Sequence, residues 1–242
     1  MASGTITESQ RRAARVAAVL YVFLTFTAPI GLVYIPSTLI VRGDATATAD
    51  RFRASEMLVR LGIGSELFHQ AIAIFLVLAL YRLFKPVDKR LAVQVVILGA
   101  LVSVPIMFLN VLNHIAALIL VSGADFLSVF GKAQLDALAY LFVRLHEQGI
   151  HVAAVFWGLW LFPYGMLVMR SGFAPRFLGV LMIIAGSGYV LSSATALVMP
   201  RYAAAVGKVT MILVFGELPF IFWLWIWGTR MRPSAPASSE GT

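Results

Sequence analysis

The sequence predicts an all-α integral membrane protein, a bundle of six transmembrane helices with both termini on the cytoplasmic side. Three observations lead there. Of 242 residues, 60% are hydrophobic and 12% charged, with a mean hydropathy of +0.90, where a soluble domain carries roughly 25% charged residues. The apolar residues gather in six runs, each long enough to cross a hydrocarbon core of about 30 Å at about 1.5 Å per residue. The basic residues stand singly or in small groups at the ends of those runs, where lipid headgroups hold them. The net charge of +8 is therefore read as membrane anchoring, and no nucleic acid partner is expected.

The first run, Ala13–Ile35, follows Arg11, Arg12 and Arg15. It is longer than the apolar region of a signal peptide and has no small-x-small cleavage site, so it is read as a retained span. Met57–Phe84, Leu91–Val121 and Leu138–Met169 exceed the roughly 20 residues that a span needs and are expected to tilt or project. Phe177–Met199 and Val206–Trp227 complete the set. Residues 1–12 form a cytoplasmic tail in this reading, 13–229 the membrane domain, and 230–242 a disordered cytoplasmic tail containing "PSAPASSEGT".

Orientation comes from the connections. The tails, "LYRLFKPVDKRL" and "MRSGFAPRFLG" hold eleven of the 19 Lys and Arg residues, and the three alternate connections hold eight. The positive-inside rule puts the richer set in the cytoplasm. Trp223, Trp225 and Trp227 suit an interfacial belt at the inner end of the last span. Pro29, Pro105, Pro163 and Pro219 fall within spans and are expected to kink them. Gly179 and Gly186, seven residues apart on nearly one face, suit close helix packing.

Counting turns outward from the inner ends brings polar residues of three helices to one depth near the outer side. Helix two supplies Glu66, His69 and Gln70, which share a face. Helix three supplies Asn110, Asn113 and His114 at the same i, i+3, i+4 spacing. Helix four supplies "RLHEQGIH", with His146, Glu147 and, one turn deeper, His151. His146 and His151 are roughly 140° apart around the helix axis at about 100° per residue, so both cannot face one centre. The expected pocket is Glu66, Asn110, Asn113 and His146, with His69, His114, Glu147 and His151 secondary. Glu217 lies near the middle of the last span, where a charge costs about 2.5–3.5 kcal/mol on insertion scales. It is expected to face the interior, protonated, paired or in contact with water.

These residues fit a structural or accessory membrane protein held by interhelical hydrogen bonds, or a binder or transporter of a small solute or lipid. The alternative is an intramembrane metal-dependent lipid hydrolase, with histidines holding zinc and Glu66 or Glu147 as general base. Ser65 and His69 have the serine–x3–histidine spacing of ceramidase-type membrane hydrolases, but no histidine follows His151 to supply their late His-x3-His pair. With no cysteine in the chain, no cysteine-ligated metal is expected. Zinc or histidine-ligated haem stays open without being favoured, and the expected partners are the lipid bilayer and a small solute or lipid.

"LYRLFKPVDKRLA", "MFLNVLNHIAALILVSGADFL" and "FWGLWLFPYGMLVMRSGFAPRFLGVLM" resemble a bacterial membrane family catalogued as domain of unknown function 4386, from about Ala14 to Ser193. The resemblance implies a multi-pass protein of the bacterial cytoplasmic (inner) membrane and no assigned activity. It also implies that Asn110 and Asn113 match paired asparagines of the family, and that His146 and Gly149 match a shared histidine and the glycine after it. His69 stands where the family usually has no histidine.

Overall fold

The computed structural model describes residues 6–226, and these are almost entirely helical. Among these residues, five helices are long and apolar enough to cross a membrane: Glu56–Phe84, Lys89–Val121, Lys132–Arg170, Arg176–Val198 and Pro200–Ile226. They contain, in order, α4 (Glu56–Phe84), α5 and α6 (Lys89–Val96 and Ser103–Val121), α7 (Lys132–Arg170), α8 (Arg176–Val198), and α9 and α10 (Ala203–Val214 and Leu218–Ile226). The chain begins with α1 (Glu8–Pro29), which continues through a π-helical turn at Ile30–Tyr34 into α2 (Ile35–Leu39). Thr7 caps α1 by accepting from the Gln10 amide while the Gln10 side chain accepts from Thr7. The helix therefore starts inside the stretch read above as a tail. Its polar first turns leave it outside the five long apolar helices. The expected C-terminal tail, and Trp227, lie outside the described residues.

Two further boundaries differ from the sequence reading. The connection after the first apolar run contains a helix, α3 (Ala45–Ala54), capped by Asp44 Oδ1 accepting from the Ala47 amide at 2.8 Å. Its short, polar sequence carries too little apolar periodicity to stand out. Helix α7 starts at Lys132, six residues before the expected Leu138. Its 39 residues span about 58 Å at about 1.5 Å each, far more than a bilayer core, and the surplus forms the wall on which α3 rests. Asp136, 1% exposed, accepts from Arg53 of α3 and from Lys132 Nζ at 2.8 Å, while Lys132 also reaches Asp50 at 3.1 Å. The Gly43 amide donates to the Tyr140 hydroxyl at 2.9 Å. At the other end of the bundle, Asp88 caps α5 and meets Arg170 at 2.8 Å. The Leu91 amide, with Arg90 and Arg170 assisting, holds the Asp88 carboxyl below the usual carboxylate range.

The helix breaks follow the prolines. A proline lacks an N–H and crowds the carbonyl four residues earlier. Pro36, Pro105 and Pro219 each have that position inside a local departure from α geometry: the π turns Ile30–Tyr34 and Ile97–Val102, and the 3-10 turn Phe215–Glu217. Ser103 Oγ donates to the Gly99 carbonyl at 2.8 Å, covering an acceptor in the second π turn. Pro163 sits within α7, which continues as an α-helix.

Helices α7 and α8 touch backbone to backbone. A Cβ added at Gly165 would lie 2.5 Å from the Gly179 carbonyl oxygen, and one at Gly158 would lie 2.6 Å from that of Gly186. The sequence marked Gly179 and Gly186. Their partners, also seven residues apart, complete two stacked contacts of the small-residue kind that membrane helices use. Two apolar clusters fill the bundle. One holds Leu83, Phe84, Leu91, Leu167, Leu178 and Phe220, and the other Ile35, Phe52, Val59, Leu118 and Val143. Along α4, α6 and α7, a polar layer lies between them.

Gly165→Ala or Gly179→Ala should therefore lower stability by about 1–3 kcal/mol through forced separation of two backbones, read as loss of thermal stability in detergent. Gly207→Ala, where nothing lies within 4 Å of the added carbon, should not. Equal effects at all three positions would remove the glycine contacts as the basis of α7–α8 packing.

Candidate functional site

The polar layer is built by α4, α6 and α7. Glu66, His114 and His146 offer ligand atoms that all lie within 4.8 Å of one another. Glu66 is 7% exposed and His146 3%. His146 Nε2 is 2.9 Å from Glu66 Oε2, and His114 Nδ1 is 3.7 Å from Oε1. With Glu66 ionised, His146 donates from Nε2 and Oε2 accepts, a charge-assisted hydrogen bond in a low-dielectric setting. Oε1 has no comparable partner in His114, because 3.7 Å is too long for a hydrogen bond.

The asparagines hold this arrangement from behind. Asn110 Nδ2 donates to the His146 carbonyl at 2.9 Å, tying α6 to α7. Asn113 Nδ2 donates to Asn110 Oδ1 at 3.0 Å and to the Asn110 carbonyl at 3.2 Å, so the amide of Asn110 is fixed in one orientation. Gly149 makes room for it. A Cβ there would stand 1.9 Å from Asn110 Oδ1 and 2.3 Å from its Cγ, so the Asn110 amide occupies the space where any other residue would place its side chain.

The structure thus brings Glu66, Asn110, Asn113 and His146 together and adds His114, which the sequence reading held as secondary. The three-histidine site that would carry a zinc hydrolase does not assemble. His69 turns toward α1, with Nδ1 3.4 Å from Thr27 Oγ1. Glu147 pairs with Arg144 on its own helix at an exposed position, and the charged neighbours of His151 are those same two residues. Ser65 Oγ donates back to the Gly62 carbonyl at 2.8 Å.

The ring geometry decides what the triad can hold. The imidazoles of His114 and His146 are stacked, with centroids 3.6 Å apart and planes 19° from parallel. A metal ion binds in the plane of an imidazole at about 2.0–2.1 Å from its nitrogen. Nearly parallel rings at stacking distance hold their lone pairs in nearly parallel, separated planes, so an ion in the plane of one ring lies well outside the plane of the other. As arranged, the triad fits a hydrogen-bonded carboxylate–imidazole centre better than a metal centre.

Glu66 also faces two cavities. One, of about 50 Å³, is lined by Thr27, Ser65, Glu66, His69, Gln70 and Trp157 among others. The second, of about 10 Å³, lies between Glu66, His114 and Phe52 of α3. At about 10–15 Å³ of such volume per water, the larger admits a few waters or one small solute. Neither admits a porphyrin. Phe52, 2% exposed, packs on His114 with ring centroids 6.3 Å apart and closes the centre on the α3 side. Sequence reasoning missed Phe52, because α3 read as a connection, and Thr27 and Trp157, because they carry no pattern of their own.

The last span carries a separate polar point. Glu217 sits at the 3-10 turn between α9 and α10, half-buried, and accepts from the Tyr21 hydroxyl of α1.

Comparison with known proteins agrees with the sequence motifs quoted above. The family described as "Domain of unknown function (DUF4386)" matches residues 16–228. An uncharacterized protein of Archaeoglobus fulgidus is 36% identical over 77 residues, which are 32% of this chain and 44% of that relative. The match thus spans less than half the length of the curated relative. No solved structure matches. Because the family match runs through the helices that build the polar layer, this chain is a multi-pass membrane protein that belongs to the DUF4386 family.

Proposed function

We propose that the protein is a six-span protein of the bacterial cytoplasmic membrane, termini inside, which binds a small hydrogen-bond-donating solute at Glu66 from the outer side. The sixth span in this reading is α1 with its continuation to Leu39, packed against α4 and α10. The observation that carries the binding role is the state of the Glu66 carboxylate. It is buried among apolar helices, one oxygen accepts from His146, and the other, 3.7 Å from His114 Nδ1, has no hydrogen-bond partner among the described residues, beside a cavity that Thr27, Ser65, His69 and Gln70 help to line. A carboxylate placed so in hydrocarbon is costly unless paired, and a solute bearing an N–H or O–H, above all a small cation, supplies the missing partner. Thr27, Ser65, His69 and Gln70 offer further polar contacts from the same cavity.

A purely structural role fits part of the layer. The Asn110–Asn113–His146 chain joins α6 to α7 whether or not a solute is present. It does not require an acid at Glu66. The hydrolase alternative needs a metal, and the stacked histidine rings do not favour one.

Native mass spectrometry of the purified protein, with elemental analysis of the same sample, tests this. The wild type should carry a small non-metal adduct that Glu66→Gln loses while staying folded. His146→Ala should instead destabilise the protein by about 1.5–3 kcal/mol, the range for a hydrogen bond to a charged group. Stoichiometric metal, lost in both variants, would replace the solute reading with the metal one. An adduct retained in Glu66→Gln would remove Glu66 as the anchor.

Topology has its own measurement. A cysteine placed at Ala47, in a chain without native cysteines, should react with an impermeant maleimide added outside intact cells. Reaction only after the cytoplasmic face is exposed would reverse the orientation.

A further inference from the structure

Glu217 is a carboxyl group in the membrane-spanning part of the protein that the Glu66 centre does not use. Its position is fixed by the backbone. Pro219 removes one amide and crowds the Phe215 carbonyl, and the helix gives way to a 3-10 turn at Phe215–Glu217. Gly216 lets that turn press on α8, where an added Cβ would stand 2.7 Å from the Leu181 carbonyl oxygen. The side chain of Glu217 then reaches α1, where Tyr21 donates to Oε1.

Tyr21 of α1 donates to its carboxyl, and Tyr164 of α7 packs on Phe220 of α10, three residues along the chain from Glu217. Tyr164 is fully buried, with its ring between Phe84, Trp160 and Phe220 at centroid distances of 5.5, 5.5 and 5.4 Å. Its hydroxyl has no hydrogen-bond partner among the described residues. A buried hydroxyl left unpaired is uncommon and points to a small polar occupant such as water. A carboxylate held by one hydroxyl, with no ion pair to a cation among the described residues, is an expensive anion in hydrocarbon, and a proton is the one cation that needs no further space.

We propose that Glu217, with Tyr21 and Tyr164, forms a second site whose ligand is an exchangeable proton. Uptake moves one proton from a hydronium ion to Oε2, the oxygen that Tyr21 does not hold, breaking a hydronium O–H bond and leaving a water molecule. Release returns that proton to water, and no other bond changes. A glutamine would provide the same static hydrogen bonding, so exchange is what distinguishes an acid at this position. The site is independent of the solute reading at Glu66. Tyr21 and Thr27, which meet the two centres, are six residues apart on α1, about 9 Å along the axis.

Dicyclohexylcarbodiimide, an apolar reagent that labels protonated carboxyl groups inside membranes, tests the proposal on the full-length protein in liposomes, with the site read by peptide mass spectrometry. Labelling at Glu217 should fall as pH rises over the range in which the protein stays folded. Glu217→Gln should abolish it, and Glu66→Gln should leave it unchanged, which separates this site from the solute reading. Tyr21→Phe should raise the labelling rate about two- to tenfold, as expected for the loss of one hydrogen bond. In parallel, the infrared difference spectrum between low and high pH should contain a carboxylic acid carbonyl band that Glu217→Gln removes. Labelling that does not vary with pH, or the absence of both the label and the band, would overturn the proposal and leave Glu217 a fixed structural acid. An unchanged rate in Tyr21→Phe would remove Tyr21 from the site.

Discussion

A carboxylate cannot stand alone among helices surrounded by hydrocarbon, and the pairing of Glu66 organises much of this bundle. Its bond to His146 fixes α4 against α7. Keeping His146 in place requires the amide of Asn110 on its carbonyl, which draws in α6. Asn110 fits only because Gly149 has no side chain. Each step satisfies a polar group at the cost of committing another residue. The energy at stake at each is the desolvation of an unpaired group, about 1–3 kcal/mol and more for a charge.

The α7–α8 pair gives this chain a rigid back. Gly158 with Gly186 and Gly165 with Gly179 bring two backbones into contact along the C-terminal half of α7. The N-terminal half of the same helix presents His146 and then Asp136, to which α3 is tied. One long helix therefore carries close packing, the polar centre and the attachment of the covering helix in sequence. Its length, well beyond what a bilayer needs, is what makes this possible.

Much of this was legible in the sequence, for a physical reason. Lipid forces long apolar runs, and a polar residue inside such a run stands out. Glu66, Asn110, Asn113, His146 and Glu217 were all visible that way, and a count of turns placed the first four in one layer. Facing was harder. His114 follows Asn113 directly, and only the packed helix shows its ring stacked on His146 while Glu147 and His151 stay with Arg144. The partners of the polar residues were harder still. Tyr21, Thr27, Phe52 and Tyr164 are ordinary residues in ordinary positions, and their roles come from contacts between segments far apart in sequence. Helix α3 escaped because a short polar helix carries little periodic signal, although Asp44 ahead of "ATATADRF" is a usable capping cue.

The irregular turns add a last constraint. Breaking a helix inside a membrane frees backbone groups that lipid cannot satisfy, so breaks persist where protein covers them. The π turn at Ile30–Tyr34 includes Gly31, which lines the cavity beside Glu66, and the 3-10 turn at Phe215–Glu217 presents the second acid. In both places a proline sets the break, and α1 closes over it or runs through it. Such breaks cost stability that a plain six-helix bundle would not give up. Two of the three breaks thus lie beside buried or half-buried carboxyl groups, and the third, at Ile97–Val102, has one freed acceptor covered by Ser103.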